Sequence, residues 1–333
     1  MRSKQYIASH FRGVLLSLLV ACAAAFIAEH YTVPAMLIAL LAGMALNQIS
    51  EIPVLNKGIA LSSTFFLRVG IGFMGAGLSV GQLETLGITP VIGVLCITAL
   101  SVIIGLSLTR IFGGTNAFGI LASGAVAICG ASAALAISTA IPKSAKSERN
   151  TLFVIATVTA LSTIAMIVYP IIFSTLKLTE LQIGFLLGAT IHDVAQVVGA
   201  GYSVSDNTGL IATFIKMLRI SLLPFIVIGT AAAFQNENTR HTRFPMIPWF
   251  LLLFTILFLL NALEFIPRII TEILMISGKM LLLAAIAAIG MKVNLREMVK
   301  IHPNAFFLVL ANSAIIVGMA LIFVLLFWSP NAA

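Results

Sequence analysis

From residue 13 to residue 328 the chain is an almost unbroken succession of apolar runs, each roughly 17 to 27 residues long and joined by short polar links. Hydrocarbon offers no partner to a free backbone N–H or C=O, so runs of this length and composition can cross a bilayer only as helices. The composition agrees: 60% hydrophobic and 9% charged residues, with a mean hydropathy of +1.12, lie outside the range of soluble domains. At about 20 residues per span, 333 residues accommodate about eleven helices and no soluble domain. The expectation is an all-α polytopic membrane protein, one integral domain over 1–333. Its spans fall near 13–29, 33–49, 59–80, 88–110, 115–141, 150–175, 180–202, 208–234, 247–264, 269–291 and 303–328.

With the N-terminus inside, the cytoplasmic links collect Arg2, Lys4, Arg12, Lys57, Arg110, Lys177, Arg240, Arg243, Lys292, Arg296 and Lys300. The outer links keep Lys143, Lys146, Arg149 and Arg268, and eleven against four satisfies the positive-inside rule. The exception is the outer cluster from Lys143 to Arg149. This bias accounts for most of the +8 net charge, which is therefore not read as nucleic-acid binding. Leu19-Val20-Ala21-Cys22 loosely matches a lipoprotein cleavage box, but the apolar run continues through Ala28, so the first helix is expected to be retained. Cys22, Cys96 and Cys129 all lie in apolar segments and imply neither a disulfide framework nor a zinc site. No cofactor is expected.

Internal repetition is visible at a nearly constant offset. Ala39 to Asn47 resembles Phe185 to Asp193 about 146 positions later, Leu67-Arg68-Val69 recurs as Leu218-Arg219-Ile220, and Asn150 to Val154 recurs as Asn304 to Leu308. The reading is one leading helix, 13–29, followed by two five-helix repeats, about 33–175 and 180–328. Five is odd, so the second copy enters from the opposite face. Inverted repeats place the site near the midplane at discontinuous helices.

Five ionisable residues interrupt the apolar runs: Arg68, His192, Asp193, Lys216 and Arg219. A charge at the bilayer centre costs about 2.5–3.5 kcal/mol on insertion scales, so such residues are candidates for a site. Four of the five are basic types, which points to an anion. In span five, Cys129-Gly130-Ala131-Ser132 looks like a helix break whose amides and Ser132 hydroxyl could hold an anion; tight packing of small residues is the alternative. A partner break is expected in span ten, around Ser277 to Lys279 or Ala284 to Gly290. In span seven His192, Gln196 and Gly199 share one face of a helix beside Asp193. The His192–Asp193 pair either relays a proton or supplies an acid that neutralises Lys216 or Arg219. Lys216 and Arg219, at i and i+3, suit an oxyanion unless Lys216 snorkels to the interface. Arg68, repeat-equivalent to Arg219, is expected in a comparable position across the site. Arg219→Ala is expected to abolish transport without unfolding the protein.

The run Leu67-Arg68-Val69-Gly70-Ile71-Gly72 continuing to Gly75-Ala76-Gly77-Leu78, with Cys129-Gly130-Ala131-Ser132-Ala133 and His192-Asp193-Val194-Ala195-Gln196-Val197, resembles the YeiH-type bacterial membrane proteins, grouped as sulfate exporters. More distantly, the layout is similar to the bile-acid sodium symporter and sodium/proton antiporter fold. That resemblance implies a core in which spans five and ten cross and a panel of spans two, three, seven and eight. The functional expectation is a secondary transporter, an exporter, of a small anion in the bacterial inner membrane, with sulfate or an organosulfonate first. The driving force is the membrane potential or a coupled proton. Expected site residues are Arg68, Cys129, Gly130, Ser132, Gln196, Lys216 and Arg219, with His192 and Asp193 in proton coupling or charge balance. Expected partners are the anion, lipid, a coupling ion and, as an option, a second copy in a homodimer. An anion channel, or a membrane enzyme or sensor, is the alternative.

Overall fold

The computed structural model describes residues 2–31, 33–78, 80–111, 114–142, 144–234, 248–293 and 303–328. Every regular element among them is helical: α1 (Arg2–Tyr31), α2 (Ala35–Ala45), α3 (Pro53–Leu61), α4 (Leu67–Met74), α5 (Val80–Leu86), α6 (Ile88–Ile111), α7 (Asn116–Ala127), α8 (Ala131–Ser138), α9 (Ala145–Thr175), α10 (Glu180–Thr190), α11 (Val194–Tyr202), α12 (Asp206–Ser221), α13 (Leu223–Ala233), α14 (Trp249–Ala262), α15 (Arg268–Lys292) and α16 (Pro303–Leu326). A π-turn, Ser62–Phe66, joins α3 to α4. Seven stretches are long and apolar enough to cross a membrane: His10–Tyr31, Pro53–Gly77, Ile88–Ile111, Ala145–Thr175, Asp206–Ala233, Arg268–Lys292 and Phe306–Leu326. Seven is fewer than the eleven runs in the sequence for a local reason. Spans two and nine form helices of only 11 and 14 residues, and spans five and seven are each divided in two.

The chain forms two compact units, Met1–Leu83 with Val198–Leu210 and Trp249–Leu295, and Glu84–Val197 with Ile211–Pro248 and Arg296–Ala333. In the first, glycines let helix backbones touch. A Cβ on Gly43 of α2 would lie 2.2 Å from the Ala287 carbonyl of α15, and one on Gly13 of α1 would lie 2.1 Å from the Leu55 carbonyl of α3. Polar side chains then pin the ends: Asn47 donates to the Val293 carbonyl at 3.2 Å, and Asn261 to that of Leu78 at 3.0 Å.

The second unit carries both helix breaks. Thr115 caps α7, while Ser144 and Thr179 open α9 and α10 with capping boxes that satisfy their first amides. Phe185 of α10 packs on Phe323 of α16 and Trp328, at ring-centroid distances of 5.1 and 5.5 Å. Gly105 of α6 lies against Ser123 of α7 and Asn312 of α16, and Gly188 of α10 against the Ala212 carbonyl and Ile215 of α12. Side chains of ordinary size would hold these helices apart.

Three expectations need correction. Span ten does not break: α15 runs continuously through Ser277, Gly278 and Lys279 to Lys292, and it belongs to the first unit. The second break lies in span seven, at 191–193, so the divided helices are spans five and seven rather than five and ten. The expected panel is not one body, since spans two and three fall in the first unit and spans seven and eight mostly in the second. Of the charges used to orient the chain, Lys143, Arg240, Arg243, Arg296 and Lys300 lie outside the described residues.

Candidate functional site

The α7–α8 break is built by two backbone features. Ile128 leaves helical geometry at φ −108°, ψ −83°, and Gly130 takes φ +62°, ψ −123°, a conformation that side chains oppose and glycine accepts. The Gly130 amide folds back on the Ala125 carbonyl at 2.8 Å, closing the end of α7. No side chain caps α8, whose first N–H groups have no acceptor within the helix. Ser132, in its first turn, is exposed, and its hydroxyl donates to the Cys129 carbonyl at 3.3 Å.

The α10–α11 break is built differently. Ile191 turns extended at φ −69°, ψ 137°, and Asp193 restarts the helix as its cap, one carboxylate oxygen accepting the Ala195 amide at 3.0 Å. The Asp193 amide donates to the Ser162 hydroxyl of α9 at 2.9 Å. His192 therefore sits in unwound chain and shares no helix face with Gln196 and Gly199, which do lie on α11. The two breaks meet: an added Cβ on Gly130 would lie 3.6 Å from the His192 Cβ and 3.7 Å from the Asp193 amide.

Arg219 of α12, 1% exposed, reaches both breaks. Its Nε donates to the Ala127 carbonyl at 2.8 Å, Nη2 to Val126 at 2.9 Å, and Nη1 to Gly188 at 2.9 Å and Ile191 at 3.1 Å. Guanidinium has five N–H donors, so four are spent on the carbonyl ends of α7 and α10. Lys216, wholly buried, donates from Nζ to the Ile191 carbonyl at 2.8 Å and does not snorkel. Neither forms a salt bridge with Asp193, whereas Lys279 and Asp206 pair at 2.6 Å in the first unit. The groups hydrogen-bonded to both cations are helix C-terminal carbonyls, whose partial negative charge a cation neutralises, and Asp193 acts on Lys216 only through space.

His192 is anchored on both sides. Its Nδ1 lies 3.2 Å from the Val126 carbonyl, and its Nε2 2.8 Å from the Ser313 hydroxyl of α16. Gln196 is buried, and its Oε1 has no partner among the described residues. Cys129 is buried beside Gly130. Eight of the nine expected site residues, Cys129, Gly130, Ser132, His192, Asp193, Gln196, Lys216 and Arg219, thus fall in one unit around or just beyond the two breaks. Arg68 belongs to the other unit, on α4, where it is exposed while Arg219 is buried.

Sequence reasoning missed Ser162 and Ser313, which hold the second break from α9 and α16. A signal existed, since these serines stand at the same offset as Arg68 and Arg219. Among the described residues no group of three or more His, Cys, Asp or Glu side chains converges as a metal site would require.

A family model described as conserved hypothetical protein 698 matches residues 12–309. A UPF0324 membrane protein of Chlorobaculum tepidum is 40% identical over 94% of this chain and 88% of its own length. The UPF0324 membrane protein TauZ of Paracoccus denitrificans is 38% identical over 93% of this chain and 94% of its own. A Rhizobium meliloti UPF0324 membrane protein is 40% identical over 91% of this chain and 89% of its own. No solved structure matches.

Proposed function

The chain belongs to the family described as conserved hypothetical protein 698, whose relatives are named membrane proteins, and on that premise we propose that it is a secondary transporter of a small anion. One observation carries this reading. Two helix breaks converge above a buried arginine and a buried lysine whose hydrogen bonds go to carbonyl ends, with no acid paired to either. The negative ends of α7 and α10 are thereby neutralised. The positive end of α8 carries no cap, and uncapped N-terminal amides favour an anion.

In this reading the anion sits at the Gly130–Ser132 turn, bound by the leading amides of α8 and the Ser132 hydroxyl. Arg219 and Lys216 act one layer beneath, holding the breaks open and supplying positive potential. Sulfate or an organosulfonate is the first substrate class, because three or four equivalent oxygens suit a cluster of amide and hydroxyl donors. The protein would be a carrier rather than an enzyme, in the bacterial inner membrane with its N-terminus cytoplasmic, exporting the anion down the potential or with a coupled ion. The inverted repeats, eleven spans, likeness to the bile-acid symporter fold and a homodimer belong to the same proposal; the divided spans five and seven are not repeat-equivalent, so the repeats rest on the sequence offsets and not on the breaks.

The test is efflux of radiolabelled sulfate and methanesulfonate from liposomes holding the purified protein. Wild type should give saturable efflux of at least one. Ser132→Leu, a change at an exposed position, should block the turn and cut that efflux at least tenfold. Equal efflux from both proteins would remove the anion from α8. A flux that never saturates would favour a channel.

A further inference from the structure

The hydrogen bonds around His192 can be completed in two protonation states. Ser313 Oγ lies 2.7 Å from the Val309 carbonyl, as donor, and 2.8 Å from His192 Nε2. A hydroxyl has one proton and cannot donate to both. On the other edge of the ring, Nδ1 faces a carbonyl oxygen, that of Val126, so Nδ1 must carry a hydrogen. Two arrangements satisfy every atom. Either His192 is neutral, with the Ser313 hydroxyl turned to Nε2, or it is an imidazolium that donates from Nε2 to Ser313 Oγ while the hydroxyl turns to Val309. They differ by one proton and one hydroxyl rotation, with no heavy atom moved.

We propose that His192 is the proton-binding site of this carrier, taking a proton at Nε2 when the anion binds and passing its hydrogen-bond change to α16 through Ser313. This rests on the anion-transport reading and names its coupling ion. The charged groups acting on His192 are Lys216 and Arg219 from α12, with Asp193 next to it in the chain and Cys129 next to the Gly130 it approaches; α16 presents Ser313, which does not titrate. Arg219 donates to the same Val126 carbonyl that Nδ1 faces, so a cationic ring would stand against a cationic guanidinium. An anion at the Gly130–Ser132 turn, next to His192, offsets that repulsion and admits the proton. Proton and anion then bind together and leave together. The binding step is balanced: a water-borne proton adds to the Nε2 lone pair, and the hydroxyl hydrogen swings from Nε2 to the Val309 oxygen.

The experiment uses the full chain in liposomes with an internal pH dye, following methanesulfonate and protons at once. Wild type should move one proton with each methanesulfonate. His192→Asn keeps an amide N–H for the Val126 carbonyl but cannot titrate; because the coupling is reciprocal it should bind the anion more weakly, and each methanesulfonate it does carry should bring at least tenfold fewer protons. His192→Gln serves as the second variant should the first fail to fold. Anion flux without protons in wild type, or protons undiminished in a folded variant, would overturn the inference and leave the transport reading intact. No anion flux in wild type, with sulfate or with methanesulfonate, would overturn both.

Discussion

Arg219 looks from the sequence like a ligand for the anion and in the structure is a clamp. Its four hydrogen bonds satisfy carbonyls at 126, 127, 188 and 191; without the side chain those at 126 and 191 keep His192 and Lys216, while those at 127 and 188 lose their side-chain partner. An orphaned buried acceptor costs about 1–3 kcal/mol, so with two of them orphaned Arg219→Ala should lower stability by about 2–6 kcal/mol. The expectation of a folded but inactive protein is thereby reversed. Lysine keeps the charge but offers no planar fork, so Arg219→Lys should recover only part of the loss. Thermal unfolding of both variants in detergent checks this, and an unchanged midpoint for Arg219→Ala would contradict the clamp. The sequence places a buried cation here because hydrocarbon makes one expensive anywhere else. Which atoms it answers is invisible in the sequence, because backbone carbonyls carry no side-chain signature.

At the scale of the element, each break has its own cause, and only one cause is written in residue type. Gly130 takes a positive φ, so the break at 128–130 could be read from Gly and Ser in an apolar run. The break at 191–193 contains neither Gly nor Pro. Its mark is Asp193 two residues before the Ala195 amide that it caps, a helix-start signal easily taken for one more polar residue on a helix face. In α15 the reverse holds, since Gly278 and Gly290 suggest a break where they only permit close packing. Gly278 faces Met74 and Phe73, and Gly290 faces Leu40 and Gly43. Gly43→Ala should therefore drive α2 off α15, with a Cβ 2.2 Å from a carbonyl oxygen, and cost about 1–3 kcal/mol. Gly229→Ala, where nothing lies within 4 Å, should be neutral or stabilising by up to about 1 kcal/mol. Paired melting curves measure the contrast, and equal losses would deny the close approach.

For the whole molecule the question is what moves it through a cycle. An inside-negative potential of 100 mV is worth about 2.3 kcal/mol per charge, so a monovalent sulfonate exported alone would reach roughly a fifty-fold gradient, outside over inside. Carried with one proton, the same anion moves no net charge. Steady-state methanesulfonate gradients should then be indifferent to a potassium diffusion potential and follow an imposed pH difference instead. A gradient that tracks potential would return the carrier to uniport and sever His192 from the mechanism.

The sequence by itself determined the class of the protein, the helical state of each apolar run and the residues that needed explaining. Those follow from the cost of leaving a peptide group or a charge in hydrocarbon, a cost set by composition and length alone. It also located the break at Gly130, where one backbone angle demands one residue type. Only the tertiary structure decided that span seven rather than span ten is divided, and that Arg68 is exposed where Arg219, at the matching offset, is buried. It alone turned a presumed ligand into a clamp on two helix ends. Those outcomes depend on which carbonyl faces which donor once the helices are packed, and hydrogen bonds between a side chain and distant backbone leave no pattern along the chain.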